Sequence, residues 1–240
     1  MRIAVISDVH GNLPALEAVL ADLARRAPDL TVNLGDCASS PLWPSETMAL
    51  LETHRFPTVR GNHDRWVAEL DVEAMSPTDR YTHDALSSVQ RSSLGGLPTS
   101  LALDDGRVLA VHGTPASDTH YLLEDAAGSR LALATARQLD ERLGDTAATL
   151  VLCGHSHNQR MARSDRGRTV LNPGSVGCPR YADNPSPWTN EAGSPHARYA
   201  LATRRGARWE IESVALVYDW EAAAERAGMN GRPDWAEALR

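Results

Sequence analysis

The amino-acid sequence predicts an α/β fold built on a sheet with parallel neighbours. The first thirty-four residues read as strand, helix and strand, a βαβ unit whose crossover is expected to be right-handed. From Leu101 onward, short apolar strand runs recur at close intervals. A third observation places the chemistry. Five apolar runs stop at glycine-flanked loops that carry Asp, Asn or His, and in open parallel sheets ligands sit at the carboxyl ends of strands.

The opening strand, Ile3-Ala4-Val5-Ile6, runs into Asp8-Val9-His10-Gly11-Asn12. If it continues that far, side-chain alternation projects Asp8 and His10 to one face before the turn at Gly11. Asn12 then caps a helix starting near Leu13-Pro14, with proline in the tolerated first turn. Leu16, Val19, Leu20 and Leu23 give that helix an apolar face, Arg25-Arg26 suits its dipole, and Pro28 stops it. Leu30 to Leu34 is the second strand, ending at Gly35-Asp36. A helix over Ser45–His54 and a short strand over Pro57–Arg60 lead to Gly61-Asn62-His63-Asp64.

Residues 65–96 are polar and helix-compatible, with Trp66, Val67, Leu70, Met75, Leu86 and Val89 at helical intervals. Two or three small helices are expected there, either capping the strand ends or completing the core. Strands follow at Leu101–Leu103 and, after the Asp105-Gly106 turn, at Arg107–Val111, which enters His112-Gly113. A helix is expected from Ser129, as its cap, to Leu143, with Gly144 as its stop. Thr149–Cys153 opens onto Gly154-His155-Ser156-His157, and Thr169–Leu171 onto Asn172-Pro173-Gly174-Ser175. Residues 178–197, with Trp188, read as a long irregular substrate loop. A hairpin of Arg198–Thr203 and Arg208–Val217 and a helical tail from Trp220, packed by Trp220 and Trp235, close the chain.

A chain of 240 residues is long enough for one substantial core, and a single domain over 1–240 is expected. The formal net charge of −7 argues against a nucleic-acid groove, which carries a basic stripe. No apolar run approaches the length of a membrane helix, and the N-terminus opens on a strand rather than a charged-then-apolar leader. Cys37, Cys153 and Cys178 are odd in number and show no C-x-x-C spacing. A reduced, cytoplasmic protein is the expectation.

The strand-end groups collect into one set: Asp8, His10, Asp36, Asn62, His63, His112, His155 and His157. Each alone reads as a cap or surface residue. Together, hard oxygen and borderline nitrogen donors suit a divalent transition metal. His155 and His157 are the sharpest pair, with Gly154 and Ser156 small enough to allow close approach.

In this order, D-x-H, G-D, G-N-H-D, H-G and G-H-S-H, the motifs resemble those of the calcineurin-like metallophosphoesterase superfamily. The ending N-P-G-S-V-G at residues 172–177 is similar to that of its small bacterial and archaeal branch. The resemblance implies a four-layer α/β/β/α sandwich of two mixed sheets with a small helical cap at 65–96. It implies two divalent metal ions, one on Asp8, His10, Asp36 and His157, the other on Asp36, Asn62, His112 and His155. Manganese is the expected ion, with iron, zinc, nickel, cobalt or magnesium as alternatives. The implied activity is hydrolysis of a small phosphodiester or phosphomonoester. A protein serine/threonine phosphatase, a dinucleoside-polyphosphate phosphatase and a non-enzymatic scaffold are the competing readings; retention of His63 and all seven ligands argues against the scaffold.

Within that picture His63 is the expected general acid, with Asp64 holding its imidazole. Arg65, Arg180 and Arg198 are candidates for phosphate contacts, each weighed against an ordinary surface role. Asn12 either touches the phosphate or caps its helix. Cys37 packs or shapes its loop, Asn172 and Ser175 back the site, and His54, His83, His120 and His196 are ordinary surface or loop histidines.

Overall fold

The computed structural model describes residues 1–127, 130–182 and 189–240. Two mixed sheets lie face to face. One has four strands in the order β13 (Arg208–Leu216), β12 (Ala197–Arg205), β1 (Arg2–Ile6) and β2 (Leu30–Asn33), with β1 parallel to β2 and antiparallel to β12. The other has five in the order β3 (Ser100–Leu103), β4 (Val108–Val111), β7 (Leu150–Leu152), β9 (Thr169–Pro173) and β8 (Gln159–Arg163). In it β4, β7 and β9 run parallel.

Strand alternation makes the layers. Ile3 and Val5 point inward to meet Val108, Ala110, Leu150, Leu152 and Leu171 of the opposite sheet. Ala4 and Ile6 point outward, where Leu16, Val19 and Leu23 of α1 (Leu13–Arg26) cover them with Met48 and Leu51 of α2 (Pro44–His54). On the far side Val111, Val151 and Val170 are covered by Leu139 and Leu143 of α6 (Ala136–Leu143). Helices on both outer faces and a shared core between the sheets give the four-layer α/β/β/α sandwich.

Four elements differ from the sequence reading. Pro57–Arg60 is not a strand; only Thr58 bridges to Asn33, and the next helix, α3 (Asn62–Glu69), starts at Asn62 itself. The expected helix from Ser129 is preceded by a hairpin, β5 (Glu124–Ala127) and β6 (Arg130–Leu133). Ser129 lies outside the described residues, and the helix is capped instead at Thr135, whose hydroxyl accepts from Gln138 N in a capping box. β8 was not foreseen. The 178–197 segment is also not wholly irregular, since β10 (Arg180–Ala182) and β11 (Thr189–Glu191) pair antiparallel within it; Trp188 lies outside the described residues.

After α3, a 3₁₀ turn leads to α4 (Pro77–Ala85) and α5 (Ser88–Gly95). Val67, Leu86 and Leu94 join the outer core, while Trp66 and Asp79 reach the cavity described below. The tail is broken at Asn230-Gly231 into α7 (Trp220–Met229) and α8 (Pro233–Ala238). No helix among the described residues is long and apolar enough to cross a membrane.

Candidate metal centre

The strand-end loops hold their side chains by an unusual backbone. Asp8, His10, Asp36, His155 and His157 all have φ between 47° and 68°, the left-handed region that side-chain-bearing residues rarely adopt. Because β1 ends at Ile6, alternation along a strand does not explain why Asp8 and His10 converge. Backbone bonds between loops do: Asp8 N donates to Gly35 O, His10 N to Asp36 O and Gly177 N to Asp8 O. Strain of this kind persists only where the surroundings over-determine it.

Two glycines let the loops touch. A Cβ on Gly61 would sit 2.1 Å from Asp36 Oδ1, and one on Gly154 2.0 Å from Ser7 Oγ. Behind them, Asn172 Nδ2 donates to Gly154 O and Ser156 Oγ, and Ser175 Oγ to Asp8 O.

The side chains form two adjacent groups, Asp8 with His10 and His157, and Asp36 with His112 and His155; within each, the donor atoms lie within 4.8 Å of one another. Asp36 Oδ2 lies between the groups, 3.3 Å from His112 Nε2 and 3.9 Å from His10 Nε2. Asn62 Oδ1 is 3.0 Å from His112 Nε2. A cation fits this arrangement. Nδ1 of His10 donates to Ser39 O, that of His112 to Leu34 O and that of His157 to Cys178 O, so each Nε2 faces inward and offers its lone pair there once it gives up any proton. Nε2 of His10 and of His157 are 3.2 Å apart, lone pair to lone pair unless a proton or a metal ion stands between them. Asp8 Oδ1, buried and without a hydrogen-bond partner among the described residues, lies 3.3 Å from His157 Nε2.

The electrostatics agree. Burial opposes ionisation of Asp8, yet His157 holds its carboxyl down at about 2, and Asp36 is held well below the usual range chiefly by His112. Burial disfavours charge on the imidazoles too, but Asp36 raises His112 to about 10 and Asp8 raises His157 well above an ordinary imidazole. Burial, and then His157 and His112 respectively, lower His10 to about 4 and His155 to about 3. The two carboxylates demand positive charge.

His63 stands beside this centre, with its ring 5.5 Å from that of His10. Its expected partner is not the one the structure supplies. Asp64 points away from the ring and accepts the backbone N–H groups of Asp36, Cys37 and Gly61 at 2.8–2.9 Å. It ties the Asp36 loop to the start of α3. The Nδ1 of His63 is bonded instead to Asp79 Oδ1 at 2.7 Å, and Asp79 is fixed by Ser39 Oγ and Ser76 Oγ. Burial disfavours the charged imidazole, but Asp36 and Asp79 outweigh it and raise its pKa. In sequence Asp79 is the third helical residue after Ser76, an ordinary N-terminal signature, so nothing local marks it.

The groups open onto a cavity of about 670 Å³ walled by α3, the start of α4, the β10 loop and α8. Of the expected phosphate contacts, Arg180 reaches it, paired with Glu237 at 3.1 Å. The others are engaged elsewhere. Arg65 is bidentate on Asp118, and Arg198 is buried and donates to the carbonyls of Ala192, Ser194 and His196. Asn12 caps its helix through Oδ1 and donates to Gly177 O and Tyr218 Oη. Arg232, Trp235 and Tyr121 also line the cavity and were not foreseen.

The family model described as "Calcineurin-like phosphoesterase superfamily domain" matches residues 1–191. An uncharacterized protein of Methanocaldococcus jannaschii is 28% identical over 259 residues, covering 97% of this chain and 94% of its own. A solved metallophosphoesterase from Sphaerobacter thermophilus is 26% identical, with TM-score 0.73, covering 100% of this chain and 98% of its own. A hypothetical protein from Pyrococcus horikoshii shares the fold at TM-score 0.77 and 20% identity, covering 99% and 97%.

Proposed function

The chain belongs to the calcineurin-like phosphoesterase superfamily, and from that premise we propose that it hydrolyses a small phosphodiester at a two-metal centre. The observation that carries this reading is the pair of adjacent donor groups with Asp36 Oδ2 between them. One ion would be held by Asp8, His10, Asp36 and His157, the other by Asp36, Asn62, His112 and His155. Bound there, divalent ions supply Lewis-acid polarisation of the phosphoryl oxygens and lower the pKa of the attacking water.

The chain's own residues do the rest. The backbone carbonyls behind His10, His112 and His157 fix the tautomer that presents Nε2. Asp64 holds the Asp36 loop against α3. His63, oriented through Nδ1 by Asp79, presents Nε2–H to the leaving oxygen as general acid. Buried imidazole, carboxylate and amide donors accept manganese, iron, zinc, nickel, cobalt or magnesium; manganese is the ion we propose. A small phosphoester in the cytoplasm is the proposed substrate setting.

The test is hydrolysis of bis-p-nitrophenyl phosphate beside p-nitrophenyl phosphate by chelator-stripped protein with manganese added back. Metal-restored cleavage of the diester is the expected result. Cleavage of the monoester alone would make it a phosphatase, and silence on both with metals bound would remove the proposal.

A further inference from the structure

Four imidazoles of the centre each carry an aromatic ring from a different element. Trp235 of α8 stands edge-on to His10 with centroids 6.2 Å apart, and Trp66 of α3 edge-on to His63 at 4.8 Å. Tyr121, after β4, stacks on His155 at 4.8 Å and 30°, and Tyr181 of β10 tilts over His157 at 4.5 Å. All four line the cavity and are only half-buried. The two tyrosine hydroxyls meet at 2.9 Å, and Trp235 Nε1 is 3.3 Å from Thr78 Oγ1. The two tyrosine hydroxyls and the Trp235 indole N–H therefore have partners, and the two indole rings present surface to the cavity.

The charges around the cavity point the same way. Arg232 forms two bonds to Asp234, at 2.9 and 2.7 Å, Arg180 pairs with Glu237 at 3.1 Å, and Arg65 just behind is bidentate on Asp118. Each guanidinium thus has a carboxylate partner already. Such a wall suits a diester, with one phosphate charge left to the metals, over a monoester carrying two. α8 supplies Asp234, Trp235 and Glu237 together, and Arg232 and Trp235 both bond Thr78 on α4, so this short helix bridges the tail to the cap.

We propose that the substrate is a phosphodiester whose retained ester group, the one that does not depart, carries a planar aromatic ring, aryl or nucleobase, and that Trp235 and Trp66 select for it. The proposal rests on the diester reading above and adds the identity of the retained group. Ring stacking of this kind changes affinity by about tenfold or more.

Three diesters with one leaving group test it: bis-p-nitrophenyl phosphate, thymidine 5′-(p-nitrophenyl) phosphate and methyl p-nitrophenyl phosphate, with manganese-loaded protein. The expected kcat/KM for the two esters whose retained group carries a ring exceeds that for the methyl ester, whose only ring departs with the leaving group, by about tenfold, mainly through KM. In Trp235→Ala and Trp66→Ala that ratio collapses toward one, while Trp235→Phe keeps most of it. A nucleobase ligand puts the thymidine ester ahead of the bis-aryl ester, and a plain aryl ligand reverses the order. Because the ratio is independent of the folded fraction, a merely structural tryptophan would lower all three rates together and overturn the proposal. Equal rates on all three esters in the unaltered protein would overturn it as well.

A second readout needs no turnover. Saturable quenching of tryptophan fluorescence by thymidine 5′-monophosphate, absent with methyl phosphate and reduced in Trp235→Phe, is expected before any metal is added. Quenching without cleavage of any diester would refute the diesterase reading while keeping the ring site. Cleavage without ring preference or quenching would do the reverse.

Discussion

His63 donates through Nδ1 to Asp79 Oδ1 at 2.7 Å, a bond between the first turn of α3 and the first turn of α4. The carboxylate adjacent in sequence, Asp64, is given over to three backbone N–H groups. Two neighbouring aspartates of the site therefore have separable duties, one toward the acid and one toward the scaffold that carries Asp36.

Asp79→Asn should lower kcat by about 10–100-fold with KM and metal content little changed. The sign of its pH effect follows from the raised pKa of His63. The protonated ring is the active form, so activity falls as pH rises through that pKa. Removing the carboxylate lowers the pKa and moves the falling limb to lower pH. A kcat–pH profile of both proteins checks this; an unshifted limb would separate Asp79 from the acid.

Asp64→Ala leaves three backbone N–H groups without their acceptor, and a loss of about 3 kcal/mol in stability is expected. Because two of those groups belong to Asp36 and Cys37, bound metal should fall as well. Thermal denaturation together with metal analysis distinguishes this from Asp79→Asn, which should keep both.

Metal uptake should release protons. Asp36 keeps His112 protonated up to about pH 10 when no ion is bound, and an ion on Nε2 must displace that proton. Affinity therefore rises with pH between neutrality and about 10, and falls toward acid. Calorimetric titration of stripped protein with manganese, in two buffers of different ionisation enthalpy, should show release of at least one proton per protein at pH 7.

Glu124 offers a pH signature of stability. Burial raises its carboxyl from 4.5 to about 7 against the pull of Ser156, Arg160 and Arg142. The folded state binds the proton more tightly than the unfolded one, so this contribution is intact below 4.5 and is lost as pH climbs to about 7. The loss is roughly 3 kcal/mol. Glu124→Gln should flatten the melting temperature between pH 4.5 and 7, and an unchanged slope would refute it.

Much of the fold was legible because its signals are local. The helix after Asn12, the strand ending at Gly35-Asp36 and the closing hairpin are each announced by periodicity and turn chemistry within about ten residues. Where local signals conflict, the reading failed. Ser129 offered a plausible cap, but the Thr135–Gln138 capping box starts the helix, and the residues before it gain more by pairing as β5 and β6. Pro57–Arg60 has strand-like residues but only one bridge to hold it.

By itself the sequence determined which side chains gather: Asp8, His10, Asp36, His112, His155 and His157 each follow a strand whose end sheet formation carries to one edge, and Asn62 and His63 follow a segment tied to that edge by a single bridge. Only the tertiary structure decided how they are aimed. The positive φ of Asp8, His10 and Asp36 comes from hydrogen bonds between loops far apart in the chain, such as His10 N to Asp36 O. Asp79, Trp235 and Tyr121 reach the site because α4, the tail and the segment after β4 fold onto it. No local pattern records that packing, since the free energy that places those residues lies in contacts between elements rather than within them.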